Sequence, residues 1–307
     1  MKAIQYKAFG NSDVLELKQV DKPVIRENEV LIKVKATTIN PADMKIRSGF
    51  MQKIMPVQLP FIPGFDASGI VEAIGNKVTR IKVGDEVIAT SNAGGTYAEY
   101  LATGEDQVAV KPNSVSFNEA VSLATPSATS YAVLVETGKI QAGQKILIQG
   151  AAGAVGSIMV QMAKALGAYV IGTASGMGID MAKGLGADEV IDYKTQDFTR
   201  LVKDMDLVAD LVGGDTQIKS FEVLKSGGKL LSIVMPPSAE LAEKFNVAAQ
   251  FVSSNSSHKK LEFGMNLFEQ GKIKTAISKV MKLEQAAQAQ DLVSAGGVNG
   301  KIVLEIN

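Results

Sequence analysis

The sequence predicts an α/β chain in which a doubly wound, six-stranded parallel sheet is joined to a second, strand-rich unit. Three features predict it. Short strands separated by turns run from Met1 to about Asn113, and apolar strands alternate with helices beyond Ser116. A glycine-rich turn also joins the first strand of the alternating stretch to its first helix. At 307 residues the chain exceeds the usual size of one hydrophobic core, so two compact units are expected.

The amino-terminal strands are read from EVLIKVKATTI, GIVEAIG, GDEVIAT and TYAEYLA, and they predict a barrel-like unit. The alternating stretch supplies KILIQ, AYVIGTA, DEVIDY, DLVADLV, KLLSIV and NVAAQFV. These are mostly continuous apolar runs, as strands covered on both faces require, and their number is that of a complete doubly wound dinucleotide-binding domain. After Ser254 a helix, a short strand, a second helix and the strand GKIVLEI are assigned back to the first unit. The expected division is 1–120, 121–254 and 255–307.

Composition narrows the function. Acidic and basic side chains balance at 32 each and aromatics are sparse, which argues against a nucleic-acid partner. The chain has no cysteine and one histidine, His258, which removes disulfides, thiol nucleophiles and thiolate or His-rich zinc sites. The segment MKAIQYKAFGNSD is too polar for a signal peptide, and no apolar run reaches the roughly 20 residues of a membrane span. A cytoplasmic protein without a membrane partner is expected.

The strongest local signal is KILIQGAAGAVGSIMVQMAKALGA, with Gly150, Gly153 and Gly156 between strand and helix. Glycine allows a tight turn and lets backbone N–H groups near Ala152, Ala154 and Val155 approach a pyrophosphate, while the helix starting near Ala154 directs its positive end at that anion. Val155, Ile158, Met159, Met162 and Leu166 recur on one face, predicting a helix packed on the sheet. The alternative is an ordinary glycine-rich turn without nucleotide.

An NAD site places Asp or Glu at the end of the second strand, about 20 residues after the glycines. Here Ala174 and Ser175 stand there. Without a carboxylate to repel a 2′-phosphate, and with Ser175, Lys183 and Tyr193 as candidate partners, the expected cofactor is NADPH rather than NADH. No Arg or Lys directly follows Ser175.

With that turn, the preceding LATPSATSYAVLVETGKIQAGQ and the closing GKIVLEI, the chain resembles the medium-chain dehydrogenase/reductase superfamily over essentially its full length. The blocks NPADMKIRSG, LPFIPGFDASGIVEAIG, GADEVIDYKTQDF and FVSSNSSHKK look like its quinone oxidoreductase group, closest to the enone-reductase branch. The resemblance implies a Rossmann domain and a discontinuous GroES-like catalytic domain. Zinc-dependent members carry a catalytic Cys near the position of Asn40 and a His-Glu pair where this chain has Phe65 and Asp66. Chemistry without a zinc Lewis acid suits acceptors that are already electrophilic, so quinones or α,β-unsaturated carbonyl compounds are the expected substrates.

The resemblance also implies roles. Asn40 would offer its amide to the substrate carbonyl, although an Asn before Pro41 also starts a turn; Lys45 would stabilise enolate charge or relay a proton, or else is a solvated surface lysine. Asp43 and Arg47 are expected to pair with other charges and hold the loop. Thr129 would meet the nicotinamide carboxamide, and Val212 with Gly213 the ribose region. Ser232, Ile233 and Val234, then Phe251, Val252 and Ser253, close the fifth and sixth strands beside the nicotinamide. Asn255 reads as a cleft contact or a helix cap, and Phe50, Met51, Ile54 and Phe61 as substrate walls or a buried patch. A homodimer through paired sixth strands is expected. The rival functions are a non-catalytic NADPH-binding sensor or structural protein, and an enoyl-thioester reductase, for whose carrier no basic cluster is evident.

Overall fold

In the computed structural model, which describes residues 1–306, β1 (Lys2–Gln5) and β2 (Glu16–Gln19) form an antiparallel pair. Then come β3 (Glu29–Thr38), α1 (Pro41–Arg47), β4 (Asp66–Ile74), β5 (Glu86–Thr90), β6 (Tyr100–Gly104) and β7 (Val108–Val110). The ten-residue β3 is the spine of this unit. One edge pairs with β4; the other takes β6 along its first half and the last strand of the chain along its second. Its alternating and β-branched residues turn Val30, Ile32 and Val34 into a core shared with Val71, Val87, Leu101 and Ile302.

Helix α2 (Phe117–Tyr131) contains Pro126 and passes into a π-helical turn, Ala132–Thr137. The second unit follows as β8 (Lys145–Gln149), α3 (Ala154–Ala165), β9 (Tyr169–Ala174), α4 (Met177–Gly184), β10 (Glu189–Asp192), α5 (Phe198–Leu201), β11 (Met205–Asp210), α6 (Gly214–Ser220), β12 (Leu224–Ser232), α7 (Ala239–Lys244) and β13 (Ala248–Phe251). All neighbouring strands are parallel, in the order β10-β9-β8-β11-β12-β13. The six expected strands are thus the six observed, and the order reverses between β8 and β11, where open α/β sheets bind ligands at the strands' carboxyl ends. The chain returns through α8 (His258–Glu269), β14 (Ile277–Lys282), α9 (Ala286–Ala295) and β15 (Lys301–Glu305), which joins β3.

The units divide differently from 1–120, 121–254 and 255–307. Met1–Thr125, Ser256–Met265 and residues 277–306 form one, and Pro126–Asn255 with Asn266–Ala276 the other. The first break falls inside α2 because that helix is continuous across it. Residues 266–276 belong with the second unit because Gln161 on α3 donates to the Lys274 carbonyl (2.9 Å) and accepts from its N–H (2.8 Å). Residues 156–163 of α3 are buried in succession instead of on the single face that periodicity predicts. Among the described residues no helix is long and apolar enough to cross a membrane.

One buried polar group in the first unit carries a pH dependence. Asp43 on α1 is enclosed; its Oδ2 accepts from the Asn40 N–H and the Tyr97 hydroxyl, both at 2.8 Å, and its Oδ1 has no partner. Arg47 donates to Gln290 (2.8 Å), so both residues hold the loop through neutral groups and not through the charge pairs expected of them. Burial raises the Asp43 carboxyl to about 7, outweighing the Asn40 and Tyr97 donors that favour ionisation. A folded pKa above the unfolded one means that this contribution to stability is complete below about pH 4 and is lost as pH rises through about 7. Asp43→Asn keeps an acceptor for both donors. Denaturant unfolding at about pH 5 and about pH 8 should therefore show wild type losing about 3 kcal/mol relative to the variant at the higher pH. Equal pH slopes for the two proteins would refute the assignment.

Candidate active site

The second unit places its candidate site residues largely at the carboxyl ends of β8, β9, β11 and β12. Gly150 follows β8 with φ +79°, and a Cβ on Gly156 would lie 2.2 Å from the Gly150 carbonyl oxygen. These two glycines are required by the chain itself. Gly153 is not: its φ is −71°, and the nearest atom to an added Cβ is 3.4 Å away. The turn is held by Thr173, whose hydroxyl accepts from the Gly150 N–H (3.0 Å) and donates to Gln149 (2.8 Å), which in turn donates to Ser220 (3.1 Å). Because α3 begins at Ala154, the first-turn N–H groups of Ala154, Val155 and Gly156 have no intrahelical acceptor and can meet an anion. Ala152 is buried in the turn.

At the end of β9 the Ser175 hydroxyl donates to the Tyr193 hydroxyl at 3.0 Å. Tyr193 is exposed and Ser175 half-buried, so the two offer a polar pair to a ligand. Lys183 is exposed in the last turn of α4.

Asp210, at the end of β11, organises the loops after β11 and β12. Its carboxylate has no exposed surface and accepts from the N–H groups of Val212 (3.1 Å) and Gly213 (2.8 Å), from Gln217 (2.9 Å) and from the Ser232 hydroxyl (2.7 Å). Ser232 is therefore buried and engaged within the protein, while Ile233 and Val234 after it are half-buried and Val212 is exposed. Phe251 and Ser253 are exposed with Val252 buried between them, and Ser253 donates to Asn255 (3.1 Å). Thr129 is buried in α2, flanked by the Ser127 and Ser130 hydroxyls, which are buried without a hydrogen-bond partner.

The first unit gathers a second polar centre. Asn40 precedes Pro41 at the start of α1 and is almost fully buried. Its Nδ2 donates to Asp66 Oδ2 (2.9 Å), and its Oδ1 accepts from Lys301 Nζ on β15 (2.5 Å). Asp66 also accepts from Lys301 (3.1 Å), from the Thr38 hydroxyl (2.5 Å), and from the Thr125 hydroxyl (2.5 Å) and N–H (3.1 Å). Burial opposes its charge, but Lys301 and the hydroxyl and amide donors together hold the carboxyl below its usual range. Lys45 is exposed on α1. Phe50 and Ile54 are exposed, Met51 is half-buried, and Phe61 packs edge-on against Tyr6 at 5.7 Å. His258 begins α8 with Nδ1 3.8 Å from an Asp106 carboxylate oxygen.

Sequence reading missed Gln149, Thr173, Asp210, Asp66 and Lys301. Polar residues closing otherwise apolar strands, as in KILIQ and LVAD, were the available signal for Gln149 and Asp210. Lys301 had none. Among the described residues no group of three His, Cys, Asp or Glu side chains could hold a metal ion.

Family models match the alcohol dehydrogenase GroES-like domain over residues 26–114 and zinc-binding dehydrogenase over residues 185–304. Quinone oxidoreductase of Mus musculus is 31% identical over 99% of this chain and 97% of its own length. The 2-methylene-furan-3-one reductase of Solanum lycopersicum is 35% identical over 99% of this chain and 79% of its own. The Escherichia coli quinone oxidoreductase complexed with NADPH superposes with TM-score 0.91 at 28% identity over the full length of both chains. This protein is therefore an oxidoreductase of the medium-chain dehydrogenase/reductase family and belongs to its zinc-independent quinone oxidoreductase group.

Proposed function

We propose that the protein uses NADPH to reduce quinones or α,β-unsaturated carbonyl compounds. The observation that carries this reading is the turn at Gly150–Gly156, where Gly153 is a glycine that the chain's own geometry does not demand. Leaving a side chain off that position keeps backbone N–H groups accessible to a pyrophosphate. When bound, the cofactor supplies a hydride. Ser175 and Tyr193 hold the 2′-phosphate, and Val212, Gly213, Ile233, Val234, Phe251, Val252 and Ser253 border the riboses and nicotinamide, with Thr129 toward the carboxamide. Asn40 has one Nδ2–H left after Asp66, and it donates to the substrate oxygen as negative charge develops there. Lys45 supplies positive charge for an enolate, and the proton comes from it or from solvent. The protein works in the cytoplasm as a dimer through the free edge of β13, where Phe251 is exposed.

Three measurements test this. NADPH absorbance should fall on addition of a quinone or a short enone, and tight nucleotide binding without oxidation by either acceptor would favour a sensor role. Gly153→Ala should melt close to wild type yet bind NADPH about 10-fold more weakly by calorimetry, whereas Gly156→Ala should unfold at lower temperature. Unchanged NADPH affinity in Gly153→Ala would remove the main support. Light scattering should give a dimer, and a monomeric mass would exclude strand pairing at β13.

A further inference from the structure

The surroundings of Asn40 determine which of its atoms can reach a substrate, an inference that rests on the reductase reading above. An amide's oxygen and nitrogen are similar in shape, so its orientation follows from its partners. Lys301 can only donate, and it lies 2.5 Å from Oδ1. Ionised Asp66 can only accept, and it lies 2.9 Å from Nδ2. Turning the amide over would set N–H against ammonium and carbonyl against carboxylate, two buried repulsions at once. The amide is therefore locked, with 7% of the Asn40 surface left open.

We infer that Lys301 and Asp66 are positioning residues for reduction: they fix the Asn40 amide so that its second Nδ2–H serves the substrate oxygen. The ammonium on the carbonyl side also draws electron density through the amide and strengthens that N–H as a donor to developing negative charge. A buried cation thus acts on the substrate one amide removed, in a centre whose other members, Thr38 and Thr125, hold the Asp66 carboxylate in place.

The test uses the full chain with Lys301→Met, Lys301→Arg and Asn40→Ala, singly and with Lys301→Met combined with Asn40→Ala. Steady-state rates with NADPH and a benzoquinone are compared with calorimetric affinities for NADP⁺ and for a phenolate, which mimics the charged oxygen. Lys301→Met should lower kcat about 10- to 100-fold and weaken phenolate binding, with NADP⁺ affinity unchanged. Lys301→Arg should recover most of the rate, and adding Lys301→Met to Asn40→Ala should cause no further loss. If Lys301→Met does not fold, Asp66→Asn combined with Lys301→Met removes both buried charges and should show the same losses. A wild-type rate in Lys301→Met while Asn40→Ala is impaired, or an equal loss on Lys301→Met with and without Asn40, overturns the inference alone. Absence of quinone-dependent NADPH oxidation by the unaltered chain overturns the reductase reading, and this inference falls with it.

Discussion

A carboxylate with no exposed surface must be met by donors on every side, and the Asp66–Lys301 pair shows what this demand does to a fold. The isolated charge would cost several kcal/mol to bury, even after the surrounding protein relaxes. Here an ammonium from β15, a hydroxyl from the end of β3, an amide from the start of α1 and two donors from α2 converge on it. Three stretches far apart in the chain, around residues 38–40, 125 and 301, are thereby tied to Asp66 on β4. The arrangement of the first unit's polar centre follows from that requirement.

The second unit meets the same demand without a counterion. Asp210 is enclosed by two backbone N–H groups, an amide and a hydroxyl, all neutral. Because the backbone donors belong to Val212 and Gly213, satisfying the charge also shapes the loop that follows β11. The Ser232 hydroxyl ties the end of β12 to the same carboxylate. Together with the Thr173–Gln149–Ser220 chain, this ties the strand ends from which the loops project.

Much of this was legible in the sequence because it rests on local regularities. Continuous apolar runs such as KILIQ become buried parallel strands whatever else surrounds them, and the Gly150–Gly156 spacing reports a turn that only small residues can make. The alignment of Ser175 with Tyr193 was also within reach, since each lies just beyond a strand of the same sheet. Asn40 was visible as a residue and opaque as a group. The motif NPADMKIRSG marks its place, but nothing in it says that both ends of its amide are engaged.

By itself the sequence determined the element types, the parallel six-stranded sheet and the glycine-rich turn before α3, because each depends on periodicity or backbone freedom within a few dozen residues. Only the tertiary structure decided the polar centre: Asp66 and Lys301 lie 235 positions apart, and Gln161 and Lys274 lie 113 apart. The same holds for the division inside α2 and for the unbroken burial of residues 156–163 in α3. Such contacts leave no periodic trace, since a long-range pair is specified by where the folded backbone carries two residues and not by the residues around either of them.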